Sequence, residues 1–108
     1  MKRGDVVIVA HGEFGRPRPA VVVQADELGD TTATVLVCPI TSDVTDKLPV
    51  RPIVNANEAN GLRILSQIMT DKMLALPRDR VRRVVGTIDT PTADRLNSAL
   101  LVVLGLAR

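Results

Sequence analysis

A chain of 108 residues has room for one domain built on one modest core, and none for a second lobe. Hydrophobic residues make up 45% of it, so a core can form, but Phe14 is the only aromatic side chain, which excludes aromatic stacking platforms for nucleic-acid bases. A formal charge of +2 permits an anionic partner without demanding one.

After Lys2-Arg3 and the turn formers Gly4-Asp5, the β-branched run Val6 to Ala10 predicts a strand. The stretch 11–18, punctuated by Gly12, Gly15 and Pro17, predicts a loop. Ala20 to Gln24 predicts a second strand, apolar and therefore buried on both faces. A turn at Leu28-Gly29-Asp30 leads to a long third strand, Thr32 to Ile40. Cys38 stands alone within that strand, so no disulfide framework or zinc site can be assembled, and a buried, inert thiol is expected. Pro39 lacks a backbone donor and marks an edge, a bulge or the end of the strand.

Polar Thr41 to Lys47 predicts a loop, and Val50 to Val54 a fourth strand, which Pro52 assigns to a sheet edge. Asn55 to Gly61 is a connection full of turn formers, and Leu62 to Met69 predicts a fifth strand. Pro77 to Arg80 fits a single helical turn, and Val81 to Ile88 a last strand. One helix follows from Thr90, with Thr90 as N-cap, Pro91 at the first helical position and Asp94 complementing the dipole. Ala93, Leu96, Leu100, Val103 and Ala107 share one face. The run Ala99 to Leu104 is apolar all round, so the helix needs cover on more than one side, and a second subunit is the natural cover. These elements predict a mainly β domain with a C-terminal helix, folded as a small, strongly bent β-barrel. With no apolar leader and no run of membrane-spanning length, the chain reads as cytoplasmic, with no membrane partner.

Three segments carry a resemblance. Lys2-Arg3-Gly4-Asp5-Val6, Arg18-Pro19-Ala20-Val21-Val22-Val23 and Val37-Cys38-Pro39-Ile40-Thr41-Ser42 resemble, in that order, segments of the MazF/PemK toxins. Glu13 stands five residues before Arg18, as a Glu does in that family. The resemblance spans essentially the whole chain and is strongest from Lys2 to Ser42. It implies an SH3-like bent β-barrel of the CcdB/MazF/Kid type over residues 1–108, paired as a homodimer. It also implies the toxin of a type II toxin–antitoxin system, bound by the acidic C-terminal tail of a cognate antitoxin. The activity implied is a metal-independent, sequence-selective endoribonuclease on single-stranded RNA that inhibits growth and needs no cofactor.

There are departures. The family's Gln after Glu is missing, Ser66 replaces an acidic residue common before the position of Gln67, and Met69 stands where a basic residue is frequent. The run Met69 to Met73 and Leu76-Pro77 also resemble the gyrase-poisoning CcdB toxins. Those end in Trp-Gly-Ile, however, and this chain ends Gly105-Leu106-Ala107-Arg108. A gyrase poison and a non-catalytic homologue that binds antitoxin or RNA are the alternatives.

The chemistry implied by the resemblance is attack of a ribose 2′-hydroxyl on the adjacent phosphorus, leaving a 2′,3′-cyclic phosphate and a 5′-hydroxyl. It needs a base, an acid and donors for the crowded phosphorane. Arg18 offers a planar fork that fits phosphate oxygens, and arginine suits charge stabilisation or proton donation better than proton abstraction. Thr41 supplies a hydroxyl donor, and Ser42 does the same or closes a turn. For the base two candidates stand open, Glu13 and the lone imidazole His11. Arg16 joins the expected substrate contacts, as does Gln67, whose alternative is a buried structural amide. Among Arg78, Arg80, Arg82 and Arg83, strand alternation puts Arg80 and Arg82 on one face and Arg83 on the other, so only part of the set can serve one phosphate patch.

Overall fold

The computed structural model describes residues 1–10 and 16–107, so His11 and Glu13 lie outside the described residues. The strands are β1 (Asp5–Ala10), β2 (Pro17–Val22), β3 (Thr34–Thr41), β4 (Ile53–Val54), β5 (Ser66–Ile68), β6 (Leu74–Pro77) and β7 (Val81–Thr87), followed by helix α1 (Thr90–Val103). They form one seven-stranded, bent half-barrel in the order β4-β5-β3-β2-β1-β7, with β6 also paired to β3. Every pairing is antiparallel. Among the described residues no helix is long and apolar enough to cross a membrane.

Because side chains alternate across a pleated strand, the apolar runs of β1, β2 and β3 feed two cores at once. Val6, Val21, Cys38 and Ile40 meet Ile68, Leu96 and Leu100 on one face. Val7, Val9, Ala20, Val22, Val35 and Val37 meet Leu76 on the other. The expected burial of β2 on both faces is therefore realised. Burial also pushes the Cys38 thiol up to about 12, so it remains protonated at neutral pH.

β3 changes partner along its length. It pairs with β6 from Thr34 to Val37 and with β5 at Ile40 and Thr41. Pro39 sits at the changeover, where its missing donor costs no ladder bond, and its carbonyl accepts from Met69 N at 2.8 Å. The strand thus runs through Pro39 to Thr41.

Several elements differ from the sequence reading. β2 begins at Pro17 because β1 extends opposite it, with Ala10 facing Pro17 and Val9 facing Arg18. The fourth and fifth strands shrink to Ile53–Val54 and Ser66–Ile68. β6 had no counterpart in the sequence reading. The helix is capped by Asp89 rather than Thr90, the Asp89 carboxylate accepting from Thr92 N at 2.9 Å. Asp94 lies beyond the first turn. The helix stops at Val103, ahead of Gly105, whose φ of +73° suits a residue without a Cβ. Past Leu100 the apolar surplus stays in solvent: Leu101, Val102, Leu104 and Leu106 are exposed, Leu106 by 67%. At the other end of β7, Gly86 lies so close to the backbone of Ala59 and Asn60 that a Cβ would collide with both.

Candidate active site

The site begins with a fork between β2 and β3. Val23 N donates to Leu36 O at 3.0 Å, so residue 23 turns its backbone groups toward β3. In an antiparallel ladder every second residue does the same, which makes positions 21 and 19 the next to face β3. Position 19 is proline and has no N–H to give. Pairing accordingly stops at Ala20↔Pro39, and the remainder of β2 pairs with β1 while the end of β3 pairs with β5. The two strands part at a pair of prolines. Arg18 lies on one lip of the opening, and Thr41 and Ser42 on the other.

A cleft of roughly 710 Å³ occupies this fork. Ala20, Val37 and Leu76, all from the second core, form part of its floor. Arg18, Arg63, Lys72 and Arg83 are its charged lining, with no carboxylate among the described lining residues. A low-dielectric floor beneath one sign of charge focuses potential on an anion.

Arg18 is exposed and, among the described residues, forms no ion pair. The Thr41 hydroxyl oxygen accepts from Asp43 N at 3.0 Å. That uses one of its two lone pairs, and among the described residues its proton is given to no acceptor. Ser42, exposed at the turn, also lines the cleft.

Two of the expected substrate contacts are placed elsewhere. Arg16 is exposed but is not part of the cleft lining. Gln67 is directly opposite Thr41 in the β3–β5 register, yet it is only 2% exposed and points away from the cleft. Its Oε1 accepts from Thr45 N at 2.8 Å, and its Nε2 donates to Thr45 O at 2.8 Å and Arg51 O at 3.2 Å. Both amide protons are used internally, so Gln67 fits its buried-amide alternative. It ties the segment after Ser42 to β5.

The basic set of the last strand also divides. Arg78 donates to Thr32 O at 2.9 Å and to Gly29 O at 2.8 Å, clamping the turn before β3 rather than waiting for a phosphate. Arg83, opposite Ile8 on β1, reaches the cleft. Arg63 and Lys72 were not singled out from the sequence. They come from irregular segments, and only the fold brings them together. Among the described residues no cluster of three His, Cys, Asp or Glu side chains is arranged to hold a metal ion.

A half-barrel sheet with one C-terminal helix is the fold of solved MazF toxins. The Mycobacterium tuberculosis toxin MazF-mt6 superposes with a TM-score of 0.83 at 22% identity, covering 96% of this chain and 99% of that one. A mycobacterial endoribonuclease solved in complex with its cognate antitoxin gives a TM-score of 0.81 at 22% identity, covering 100% of this chain and 98% of that one. Sequence carries the likeness from fold to family. Residues 2–104 match the PemK-like, MazF-like toxin of type II toxin–antitoxin systems. The probable endoribonuclease MazF of Mycolicibacterium smegmatis is 38% identical over 109 residues, 99% of each chain. This chain belongs to the PemK-like, MazF-like toxin family.

Proposed function

We propose that this protein is a cytoplasmic toxin, residues 1–108 acting as one domain, that inhibits growth by cutting single-stranded RNA and is held in check by a cognate antitoxin. The observation that carries the reading is the fork itself, which sets Arg18 and Thr41 on facing lips of a cleft lined by cations. Family membership and the relative's description as a probable endoribonuclease support it over gyrase poisoning.

The reaction is attack of the ribose 2′-hydroxyl on phosphorus, with the Arg18 fork and the Thr41 hydroxyl stabilising charge on the phosphorane oxygens. Ser42 adds a second hydroxyl at the same lip. Glu13 and His11 are the two candidates for the base. The nucleophile is the 2′-hydroxyl, so DNA is spared, and no metal is needed to generate it. An acidic antitoxin tail crossing the cleft would compete with RNA for the same cations.

Incubating purified protein with single-stranded RNA in excess EDTA tests this directly. Fragments should carry 5′-hydroxyl and 2′,3′-cyclic phosphate ends. Arg18→Ala and Thr41→Ala should each lose cleavage while remaining folded, and Arg18→Lys should lose most of it, because a point charge cannot reproduce the fork. Cleavage that required added magnesium, or that survived in Arg18→Ala, would sink the mechanism.

A further inference from the structure

Lys72 sits at the end of a 3-10 turn, Thr70–Lys72, that is fastened both to the fork and to the segment before β4. Met69 N donates to Pro39 O at the fork, and Lys72 N donates to Met69 O at 3.0 Å. The buried Thr70 hydroxyl donates to Val50 O. The turn is therefore a fixed mount, and Lys72 projects from it as an exposed side chain lining the cleft.

Its neighbour Asp71 is the nearest anion in sequence and an obvious competitor for that ammonium. Asp71 is already engaged. Arg51 grips it with two bonds, Nε to Oδ1 at 2.8 Å and Nη2 to Oδ2 at 2.9 Å. That bidentate hold keeps the Asp71 carboxyl below the usual carboxylate range and the Arg51 guanidinium above its own. Arg51 is outside the cleft lining. Its charge cancels that of Asp71 and leaves Lys72 as the net positive group at this end. Among the described residues Lys72 forms no ion pair.

We infer that Lys72 is a binding residue for a backbone phosphate of the RNA flanking the one that is cut, and that the Arg51–Asp71 pair is the device that keeps it available. This rests on the proposed function and adds to it a second anchoring point, on the turn after β5.

A fluorescein-labelled, 2′-O-methylated single-stranded RNA of mixed sequence, which cannot be cut by 2′-hydroxyl attack, is the probe. Its affinity for the intact protein is read by polarisation across a salt series. Lys72→Gln should weaken binding about fivefold and flatten the slope of log affinity against log salt by about 0.7, the value for one phosphate contact on a single strand. Lys72→Arg should keep the wild-type slope. In cleavage assays Lys72→Gln should raise KM and leave kcat nearly unchanged, a split that general unfolding does not give. Arg51→Gln should also weaken binding, and adding Asp71→Asn to it should restore the affinity, since the exposed carboxylate is then gone. Wild-type affinity and slope in Lys72→Gln would overturn the assignment, and failure of Asp71→Asn to restore Arg51→Gln would overturn the shielding. Wild-type protein that did not bind the probe in a salt-dependent way would instead overturn the ribonuclease reading beneath both.

Discussion

With its oxygen accepting from Thr45 and its nitrogen donating to Thr45 and Arg51, the Gln67 amide holds the segment that follows Ser42 against β5. Gln67→Met keeps the length of the side chain and leaves those backbone groups to find other partners. The expected cost is about 2 kcal/mol, with slower RNA cleavage and an unaltered choice of cleavage site. Mapping fragment ends checks this, and a changed site preference would return Gln67 to reading bases. Arg18, Thr41 and Ser42 were legible in the sequence because each stands within two or three residues of a proline in a family motif, and those prolines open the fork. Arg83 was legible as one of a run of arginines, but Arg63 and Lys72 were not. Those two come from separate segments, and no spacing along the chain announces a shared cleft. Gln67 was open to misreading for a related reason: β5 is too short for alternation to say which residues face the cleft.

At the scale of elements, α1 was recognisable from its apolar spacing, but its start was misplaced by one residue. Asp89 outcompetes Thr90 as cap because a carboxylate is the stronger acceptor for Thr92 N. Hydrogen bonding from Thr92 holds the Asp89 carboxyl below the usual carboxylate range, as Arg51 does for Asp71. The folded chain therefore takes up these protons less readily than the unfolded one. Their contribution to stability is fully present above the unfolded carboxylate pKa of about 4 and is lost as pH falls through the lower folded values. Asp89→Ala should lower the thermal midpoint by several degrees at neutral pH. That difference should close in acid, and a gap that stayed constant down to about pH 2 would refute the carboxylate's role. β6 was missed because Leu74-Ala75-Leu76-Pro77 has no alternation of its own and lies between two 3-10 turns. Its strand character comes from pairing with Thr34 to Val37 of β3. The fourth and fifth strands were overextended for the opposite reason, since β-forming residues such as Ile64 and Leu65 have no ladder to join.

For the whole molecule, Leu101, Leu104 and Leu106 at the end of α1 form an exposed apolar surface beside Leu36. A homodimer that covers it is the expected state. Light scattering at micromolar concentration should give about twice the 11.6 kDa of one chain. Leu101→Asp with Leu106→Asp should shift the protein toward monomer without unfolding it, and a wild-type monomer would refute the interface. The pairing of β1 with β7 carries a consequence of another kind, in time. Asp5 faces Thr87 in that ladder, so nearly the whole chain must be made before the first strand finds its second neighbour. At ordinary rates of synthesis this leaves one edge of β1 bare for several seconds. A chain released before Val81 would carry both the Arg18 and Thr41 motifs and no finished cleft, because Arg83 and the edge that frames β1 would be missing. Ribosome-held chains of increasing length, the longest extended at the C-terminus by a flexible linker that fills the exit tunnel, should protect β1 from protease only once Thr87 has cleared the tunnel. Protection of shorter chains would mean that the fork assembles without its outermost strand. On this account a nascent toxin is harmless by geometry until its last strand arrives.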